Sequence, residues 1–193
     1  MRLTRAEQQA RTHSELLSAG RQVFLRRGFL AATVEEIAAD AGYTRGAVYK
    51  HFGGKEGLWL AVVSADAGTH LEGLRAALSA TASADELVAV LSGVADAEAA
   101  KWASVAAEVL AATASQPSVA AQIADVQEQH DAQVTALLEE HVARLGLTPA
   151  MPARQVVVLL GAVGIGLALR QAFLAGTDAR AVLSQVLKSA LST

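Results

Sequence analysis

The stretch of sequence that decides the fold runs from Thr33 to Lys55 and reads TVEEIAADAGYTRGAVYKHFGGK. Thr33 is followed three residues later by Glu36, the spacing of a capping box, which predicts that a helix begins here. Gly42 can adopt the positive φ that ends a helix. Thr44 can then cap a second helix by accepting a hydrogen bond from a free backbone N–H. The stretch therefore predicts two short helices joined by a tight turn, with a further helix beginning near Lys55.

Each of the two short helices has an apolar face that we expect to be buried. The apolar positions follow helical periodicity and are Val34, Ile37, Ala38, Val48 and Phe52. The second helix then presents its other faces outward, with Arg45, Ala47, Tyr49, Lys50 and His51. Two short crossing helices of this kind form a helix-turn-helix, a motif that places its second helix in the major groove of DNA.

The surrounding stretch, from Ser14 to Val63, resembles the DNA-binding domain of the TetR family of bacterial transcriptional regulators. The most specific part of the resemblance is the run Tyr49-Lys50-His51-Phe52 followed by Lys55. Further matching positions are Ala19, Phe24, Gly28, Phe29, Thr33, Val34, Ile37, Ala38, Ala41, Gly42, Gly46 and Leu58. The sequence departs from the family pattern at Gly20, where alanine is usual, and at Tyr43, where a small aliphatic residue is usual.

The helical positions and the resemblance together predict which residues contact DNA. We expect base edges to be read by Arg45, Ala47 and Lys50, since cationic side chains suit guanine and a methyl group suits thymine. We expect phosphates to be bound by Thr33, Thr44, Tyr49, His51 and Lys55, because Thr33 and Lys55 lie at helix N-termini, where free N–H groups favour anions. The resemblance adds Gly46 to this DNA-facing set.

The distribution of charge supports this prediction. The chain has 193 residues and a formal net charge of −3. Residues 1–55 nevertheless carry nine Lys or Arg and five Asp or Glu, a net charge of +4, whereas the remainder carries seven and fourteen, a net charge of −7. A basic N-terminal part is suited to phosphate contact.

Composition favours an all-α protein without redox, metal or catalytic chemistry. The chain has only three prolines, many alanines and no cysteine, so disulfides and thiolate metal sites are impossible. His130 and His141 share a helical face but are three turns apart, too far for one metal ion. The glycines between Val156 and Gly166 lack the spacing of a dinucleotide-binding loop. We therefore predict no enzyme activity, no catalytic residues, no metal and no cofactor.

We expect about nine helices in two domains, a helix-turn-helix domain over residues 1–54 and a ligand-binding and dimerisation domain over residues 55–193. The first domain has a long helix over Arg5–Arg27, capped by Thr4, before the two short helices. A fourth helix, from Lys55 to about Ala80, enters the second domain. The remaining helices are expected at Asp85–Ala99, Lys101–Ala114, Ser118–Leu145, Ala153–Ala175 and Asp178–Leu191, with Ser118 and Thr177 as caps.

The last two of these helices are predicted to form the surface of a homodimer. Their apolar positions are too many for one buried stripe, and Gly161, Gly164 and Gly166 allow another helix to approach closely. The alternative is that both helices lie inside a monomeric core. The longest apolar run, Val156 to Leu169, has 14 residues, short of the ~20 that span a membrane. No signal peptide is apparent, so a cytoplasmic protein without a membrane partner is expected.

The resemblance implies an effector pocket among the middle helices of the second domain. Candidates by helical position are His70, Leu74, Trp102, Val105 and Phe173, with ordinary core packing as the alternative. Because these residues are mostly apolar, an apolar or neutral small molecule is expected.

The sequence thus predicts a homodimeric, ligand-responsive repressor that binds a pseudo-palindromic DNA operator. Regulators that activate, or that answer to no ligand, share the same sequence features. A different class of function is a helical ligand- or partner-binding protein whose helix-turn-helix does not contact DNA.

Overall fold

A computed structural model describes residues 4–94, 97–174 and 176–191, and within these ranges the chain is helical with no β-strand. The α-helices of the described residues are α1 (Arg5–Ala31), α2 (Val34–Asp40), α3 (Arg45–Phe52), α4 (Lys55–Ser79), α5 (Ala84–Leu91), α6 (Ala97–Thr113), α7 (Pro117–Arg144), α8 (Ala153–Phe173) and α9 (Ala179–Leu191). A short 3-10 turn follows α5 at Ser92–Val94. The predicted all-α fold with about nine helices is confirmed.

Local capping explains where the first helices begin. Thr4 and Glu7 form a complete capping box at the start of α1. At α2 the Thr33 hydroxyl accepts a hydrogen bond from the Glu36 backbone N–H at 3.1 Å, but the Glu36 carboxylate pairs with Arg26 and Arg27 of α1 instead of closing the box. Thr44 precedes α3 without a side-chain capping bond, so the prediction that it caps this helix by accepting one is wrong.

Several helix boundaries differ from those predicted. The first helix continues past Arg27 to Ala31, across a kink at Gly28, where φ is +76°. The two helices expected over residues 85–114 are instead α5, the 3-10 turn and a longer α6. Pro117, not Ser118, begins α7, because proline suits the first position of a helix. The cap of α9 is Asp178, which accepts from the Ala181 N–H at 2.9 Å, and not Thr177. The predicted end of α8, Ala175, lies outside the described residues.

The chain separates into two compact units. One contains the described residues up to Asp66 together with Val105–Ala124, and the other contains Ala67–Ser104 and the described residues from Asp125 onwards. Helices α4, α6 and α7 therefore each contribute residues to both units. The helix-turn-helix lies in the first unit, which we call the head unit, and α8 and α9 lie in the second, which we call the body unit.

The core of the head unit holds α1, α2, α3 and the start of α4 together. Its fully buried apolar side chains include Leu16, Val23, Phe24, Phe29, Ile37, Val48 and Leu58. The rings of Phe24 and Trp59 meet edge to face with centroids 5.5 Å apart, an arrangement that aromatic pairs favour. This packing fixes α3 through Val48 and leaves the opposite side of α3 to solvent.

The end of α1 is held by polar contacts from α4 and α6. Lys55 donates hydrogen bonds from Nζ to the carbonyl oxygens of Phe29, at 2.9 Å, and Ala32, at 3.0 Å. The Glu108 carboxylate accepts from the Leu30 N–H at 2.8 Å. A Cβ at Gly28 would lie 2.5 Å from that carboxylate. Glycine at this position is therefore needed both for the left-handed backbone and for the approach of Glu108.

The body unit has a core of leucine and valine side chains from α4, α5, α7, α8 and α9. Helix α8 packs against α9 and buries Val156, Val157, Leu160 and Ala168. At the end of α4, Arg144 of α7 donates to the carbonyl oxygens of Leu78 and Thr81 at 2.9 and 2.8 Å. These bonds satisfy carbonyl groups that a helix end leaves without intrahelical partners.

The side of α8 away from this core is apolar and open. Val158 is 52% exposed and Ile165 is 54% exposed, and Gly161 and Ala162 between them are exposed as well. On α9, Val182 is also exposed. We call Val158, Gly161, Ala162, Ile165 and Val182 the α8–α9 face.

Helix α8 is long and apolar enough to cross a membrane by length and composition. Its Ala153–Gln171 segment has 19 residues, a mean hydropathy of 1.6 and 28% of its window buried. The expectation that this region is too short for a span is therefore wrong, because the helix extends beyond the run of 14 apolar residues. A helix in the core of a soluble protein can meet the same two criteria of length and composition.

Candidate DNA-binding interface

Helix α3 presents a polar surface to solvent, and on its opposite side the fully buried Val48 anchors the helix in the core. Of the DNA-contacting residues predicted from the sequence, Thr44, Arg45, Gly46, Tyr49 and Lys50 are exposed, and Ala47 and His51 are partly buried. The fold therefore brings the α3 candidates onto the accessible side of one helix. Thr33 is exposed at the start of α2, and Lys55 is partly buried at the start of α4.

Arg45 is held in place by neighbours on two helices. Its guanidinium pairs with the Glu35 carboxylate of α2 at 2.9 Å. It also donates to the Tyr49 hydroxyl at 3.4 Å and lies over the Tyr49 ring, 5.2 Å from the centroid. The hydrogen bond with Tyr49, then the charges of Tyr49 and Glu35, raise the pKa of Arg45. The side chain is thus a permanent cation, oriented along the surface of α3.

Lys50 is the cation of α3 that is least engaged by protein groups. It is exposed, and within the described ranges it forms no ion pair. An ammonium on a flexible stem can reach either a guanine edge or a phosphate.

His51 lies against a small aromatic cluster. The His13 ring of α1 lies 4.6 Å from the Phe52 ring and 5.8 Å from the His51 ring, measured between centroids. Burial, then the charges of His13 and Lys50, lower the pKa of His51. The imidazole is therefore mainly neutral at pH 7, and it can donate an N–H to a phosphate without adding charge.

The residues predicted to bind phosphate from helix N-termini keep donors available. The Thr33 hydroxyl accepts from Glu36, so its own proton remains available to donate. Lys55 uses two of its three N–H donors on the carbonyl groups of Phe29 and Ala32, which leaves one. Its ammonium also lies 4.5 Å from the centroid of the Phe29 ring. Lys55 therefore ties α1 to α4 in addition to the phosphate contact predicted from the sequence.

Tyr43 braces the turn between α2 and α3, a role that the sequence did not indicate. Its hydroxyl donates to the Glu15 carboxylate of α1 at 2.5 Å and accepts from the Thr12 hydroxyl at 3.3 Å. Arg11 pairs with the other oxygen of Glu15 at 2.9 Å. The only signal in the sequence was that Tyr43 departs from the family pattern. The hydrogen bonds connect residues about 30 positions apart, which local patterns do not reveal.

The brace gives a prediction about stability and pH. Hydrogen bonds from Tyr43, then from Arg11, lower the pKa of Glu15 in the folded protein. A lowered pKa stabilises the fold above the unfolded pKa, and this stabilisation is lost as the pH falls through the folded pKa. We expect Tyr43→Phe to lower the thermal midpoint by a few degrees at pH 7, and the difference from wild type to shrink in acid. Thermal unfolding followed by circular dichroism across pH measures both effects.

Tyr49→Phe is the matched control for this prediction, because it removes an exposed hydroxyl of α3 that does not contact Glu15. Its midpoint is expected to equal that of wild type. A difference between Tyr43→Phe and wild type that stayed constant down to low pH would show that Glu15 is not the partner that matters.

The residues predicted to contact an effector do not all lie in one environment. Leu74 belongs to the core of the body unit, His70 is exposed and Trp102 is partly buried. Val105 is buried but belongs to the head unit. Phe173, the last residue of α8, is 83% exposed. His130, which was not among the predicted contacts, lies beside His70, with the two ring centroids 5.5 Å apart.

Comparison with known proteins agrees with this fold and surface. The model of the family described as "Bacterial regulatory proteins, tetR family" matches residues 16–62, which contain α2, α3 and parts of the flanking helices. The transcriptional repressor AcnR of Corynebacterium efficiens is 29% identical over 97% of this chain and 94% of its own length. The transcriptional repressor BepR of Brucella suis is 46% identical over 63 residues, 33% of this chain and 30% of its own length.

Solved structures show the same fold over nearly the whole chain. A TetR-family transcriptional regulator from Rhodococcus sp. superposes with a TM-score of 0.76 at 19% identity and covers 95% of this chain and 100% of its own. Escherichia coli NemR in its reduced form gives a TM-score of 0.72 at 19% identity, with 94% and 97% covered.

Residues 16–62 match the DNA-binding domain of the TetR family of bacterial regulators, and the whole chain resembles these regulators in sequence and fold. It is a DNA-binding transcriptional regulator with a helix-turn-helix, and it is not an enzyme.

Proposed function

We propose that the protein is a homodimeric repressor that binds a pseudo-palindromic operator through two copies of α3. The observation that carries this proposal is the outer side of α3, where Arg45 and Lys50 lie exposed on a helix anchored by the buried Val48. Arg45, Ala47 and Lys50 read base edges in this proposal. Phosphates are bound by Thr33, Thr44, Tyr49, His51 and Lys55, and Gly46 lets the backbone of α3 approach the DNA closely.

The test is binding of the purified protein to the DNA that flanks its own gene, at two salt concentrations. We expect a footprint with two-fold symmetry and two half-sites about one helical turn, ~34 Å, apart. Affinity should fall steeply with salt, because phosphate contacts release counterions. A protein partner, the alternative class of function, would produce no footprint. Refolding the protein before the assay removes any bound effector. If neither the purified nor the refolded protein bound any genomic DNA fragment specifically, the proposal would be contradicted.

The α8–α9 face supports dimerisation. It offers a continuous apolar strip on α8, with small residues where a second helix approaches, and Val182 on the neighbouring helix. Two helices from each subunit would form a four-helix interface. Burial in such an interface also accounts for the apolar character of α8, so the proposal places the protein in the cytoplasm and not in a membrane.

A charge in this interface is expected to separate the subunits. Ile165→Asp places one unpaired carboxylate from each subunit in an apolar contact, and we expect the dimer dissociation constant to rise ~100-fold or more. Operator affinity should fall in parallel, since one α3 alone makes half the contacts. Sedimentation velocity and DNA binding measure the two effects.

Leu110→Asp is the matched control for the dimer prediction, because Leu110 is an exposed leucine (58%) on α6, outside the proposed interface. It should remain dimeric and bind the operator. An Ile165→Asp protein that also remained dimeric would place the interface elsewhere.

The proposed effector is an apolar or neutral small molecule bound in the C-terminal domain, residues 55–193 in our division of the chain. The candidate contacts in the body unit are His70, Leu74 and Trp102, whereas Val105 lies in the head unit and is not assigned to the same pocket. Phe173 is better assigned to the apolar surface near the end of α8, since most of its ring faces solvent. The effector would favour a dimer state in which the two copies of α3 are wrongly spaced, and it can do so only through its different affinities for the two states.

A further inference from the structure

The body unit contains a pair of histidines on two different helices. The ring centroids of His70, on α4, and His130, on α7, lie 5.5 Å apart, with the ring planes at 45°. The two residues are 60 positions apart in the sequence, so ligand spacing along the chain could not reveal the pair. Along the sequence, helical periodicity relates His130 to His141 instead, and these two are too far apart for one metal ion.

The distance between the rings suits a shared metal ion. A tetrahedral ion about 2 Å from one nitrogen of each imidazole holds the two ring centroids roughly 5 Å apart. The observed separation needs only a small adjustment of either side chain. His141, by contrast, is buried and has its Nδ1 2.8 Å from the Leu137 carbonyl oxygen, so that nitrogen is already occupied.

The state of the two imidazoles is consistent with metal binding. Nδ1 of His130 is buried and has no hydrogen-bond partner among the described residues, a situation that costs free energy and commonly indicates a bound water or ion. A neutral imidazole has a nitrogen lone pair that can coordinate a metal, and each of the two rings can supply one.

We propose that His70 and His130 form a two-imidazole site for a divalent transition-metal ion. In the part of the chain that the structure describes, no group of three or more His, Cys, Asp or Glu side chains could hold an ion. Water, or donor atoms of a small molecule, would take the remaining positions, as in an open metal site. Imidazole ligands favour Cu²⁺, Ni²⁺ and Zn²⁺ over Mg²⁺ and Ca²⁺. The ion would join α4, the helix that begins directly after the helix-turn-helix, to α7.

The test is titration of the untagged protein with Cu²⁺ after treatment with a chelator. We expect one tightly bound ion per chain, whose electron paramagnetic resonance spectrum shows coupling to two imidazole nitrogens. His70→Gln and His130→Gln should each weaken binding about tenfold or more and remove one nitrogen from the spectrum. Unchanged affinity and spectrum in both variants would overturn the proposal.

His13→Gln is the matched control, because His13 and His51 are another pair of neighbouring imidazoles, 5.8 Å apart. This variant should keep the affinity and the spectrum of wild type, and loss of binding here would place the ion in the head unit. A second measurement guards against variants that do not fold. Zn²⁺ should raise the thermal midpoint of wild type but not that of His70→Gln. Because the His70 side chain is exposed, its replacement should not prevent folding. Equal shifts of the thermal midpoint in the two proteins would contradict the site. None of these readouts requires DNA, so the metal site can fail while the proposed repressor function stands.

Discussion

Lys50→Glu is expected to abolish specific DNA binding while leaving the fold intact. The exposed side chain faces solvent from α3, so reversing its charge disturbs no packing. At the DNA it replaces an attractive contact by repulsion from phosphates and from guanine acceptors, at a cost of about 2–3 kcal/mol in each half-site. Because a dimer carries the change twice, operator affinity should fall about a thousandfold or more. Fluorescence anisotropy with a labelled operator measures the loss, and thermal unfolding verifies the fold.

Lys101→Glu is the control for charge, since Lys101 is an exposed lysine of α6 and the net charge changes equally. It should bind the operator almost as wild type does, with a similar dependence on salt. If Lys50→Glu kept wild-type affinity, α3 would not be the recognition helix, and the assignment of Arg45 and Ala47 to base edges would fail with it.

Gly57→Ala is expected to be the most destabilising small substitution at the junction of α3 and α4. A Cβ at Gly57 would lie 1.9 Å from the Phe52 carbonyl oxygen. That oxygen belongs to the backbone at the end of α3, so relief of the clash requires α3 and α4 to separate. We expect a loss of about 3 kcal/mol in the free energy of unfolding and, because α3 shifts, at least tenfold weaker operator binding. Urea denaturation and anisotropy provide the two measurements.

The same helix supplies the control for this substitution. A Cβ at Gly73 has no neighbour within 4 Å, and alanine is favoured over glycine in a helix by up to ~1 kcal/mol. Gly73→Ala should therefore be as stable as wild type or more so. Equal unfolding midpoints for the two variants would show that the junction has room for a methyl group.

The helix-turn-helix could be predicted from the sequence because its signals are local. Thr33, Gly42 and the spacing of Val34, Ile37 and Val48 specify helices and their ends within a few residues of chain. The sequence predicts the break between α5 and α6 at residue 100, whereas α5 ends at Leu91, because one glycine, Gly93, among helix-forming residues is a weak signal. At Thr44 the hydroxyl suits a cap, but the structure shows no such bond.

What the sequence could not supply are contacts between distant segments. Gly20 departs from the alanine that is usual in the family, and a Cβ there would lie 2.9 Å from Leu58 of α4, so glycine allows the two helices to pack closely. The brace of Tyr43 on Glu15 and the pairing of His70 with His130 depend on the tertiary fold in the same way. Side-chain identity predicted what each residue can do, but not which partner it has.

The ion pair between Arg45 and Glu35 has a consequence for how accurately the protein chooses its site. Before Arg45 can contact a base, its guanidinium must leave a carboxylate 2.9 Å away, so Glu35 competes with DNA for the same cation. A guanine that accepts two hydrogen bonds from Arg45 offsets the loss of the ion pair with Glu35, whereas a base that accepts only one offsets less of this loss. If Arg45 contacts a base as proposed, Glu35 would therefore lower the affinity that this contact contributes, and Arg45 would exchange partners fully only at a base that accepts both hydrogen bonds.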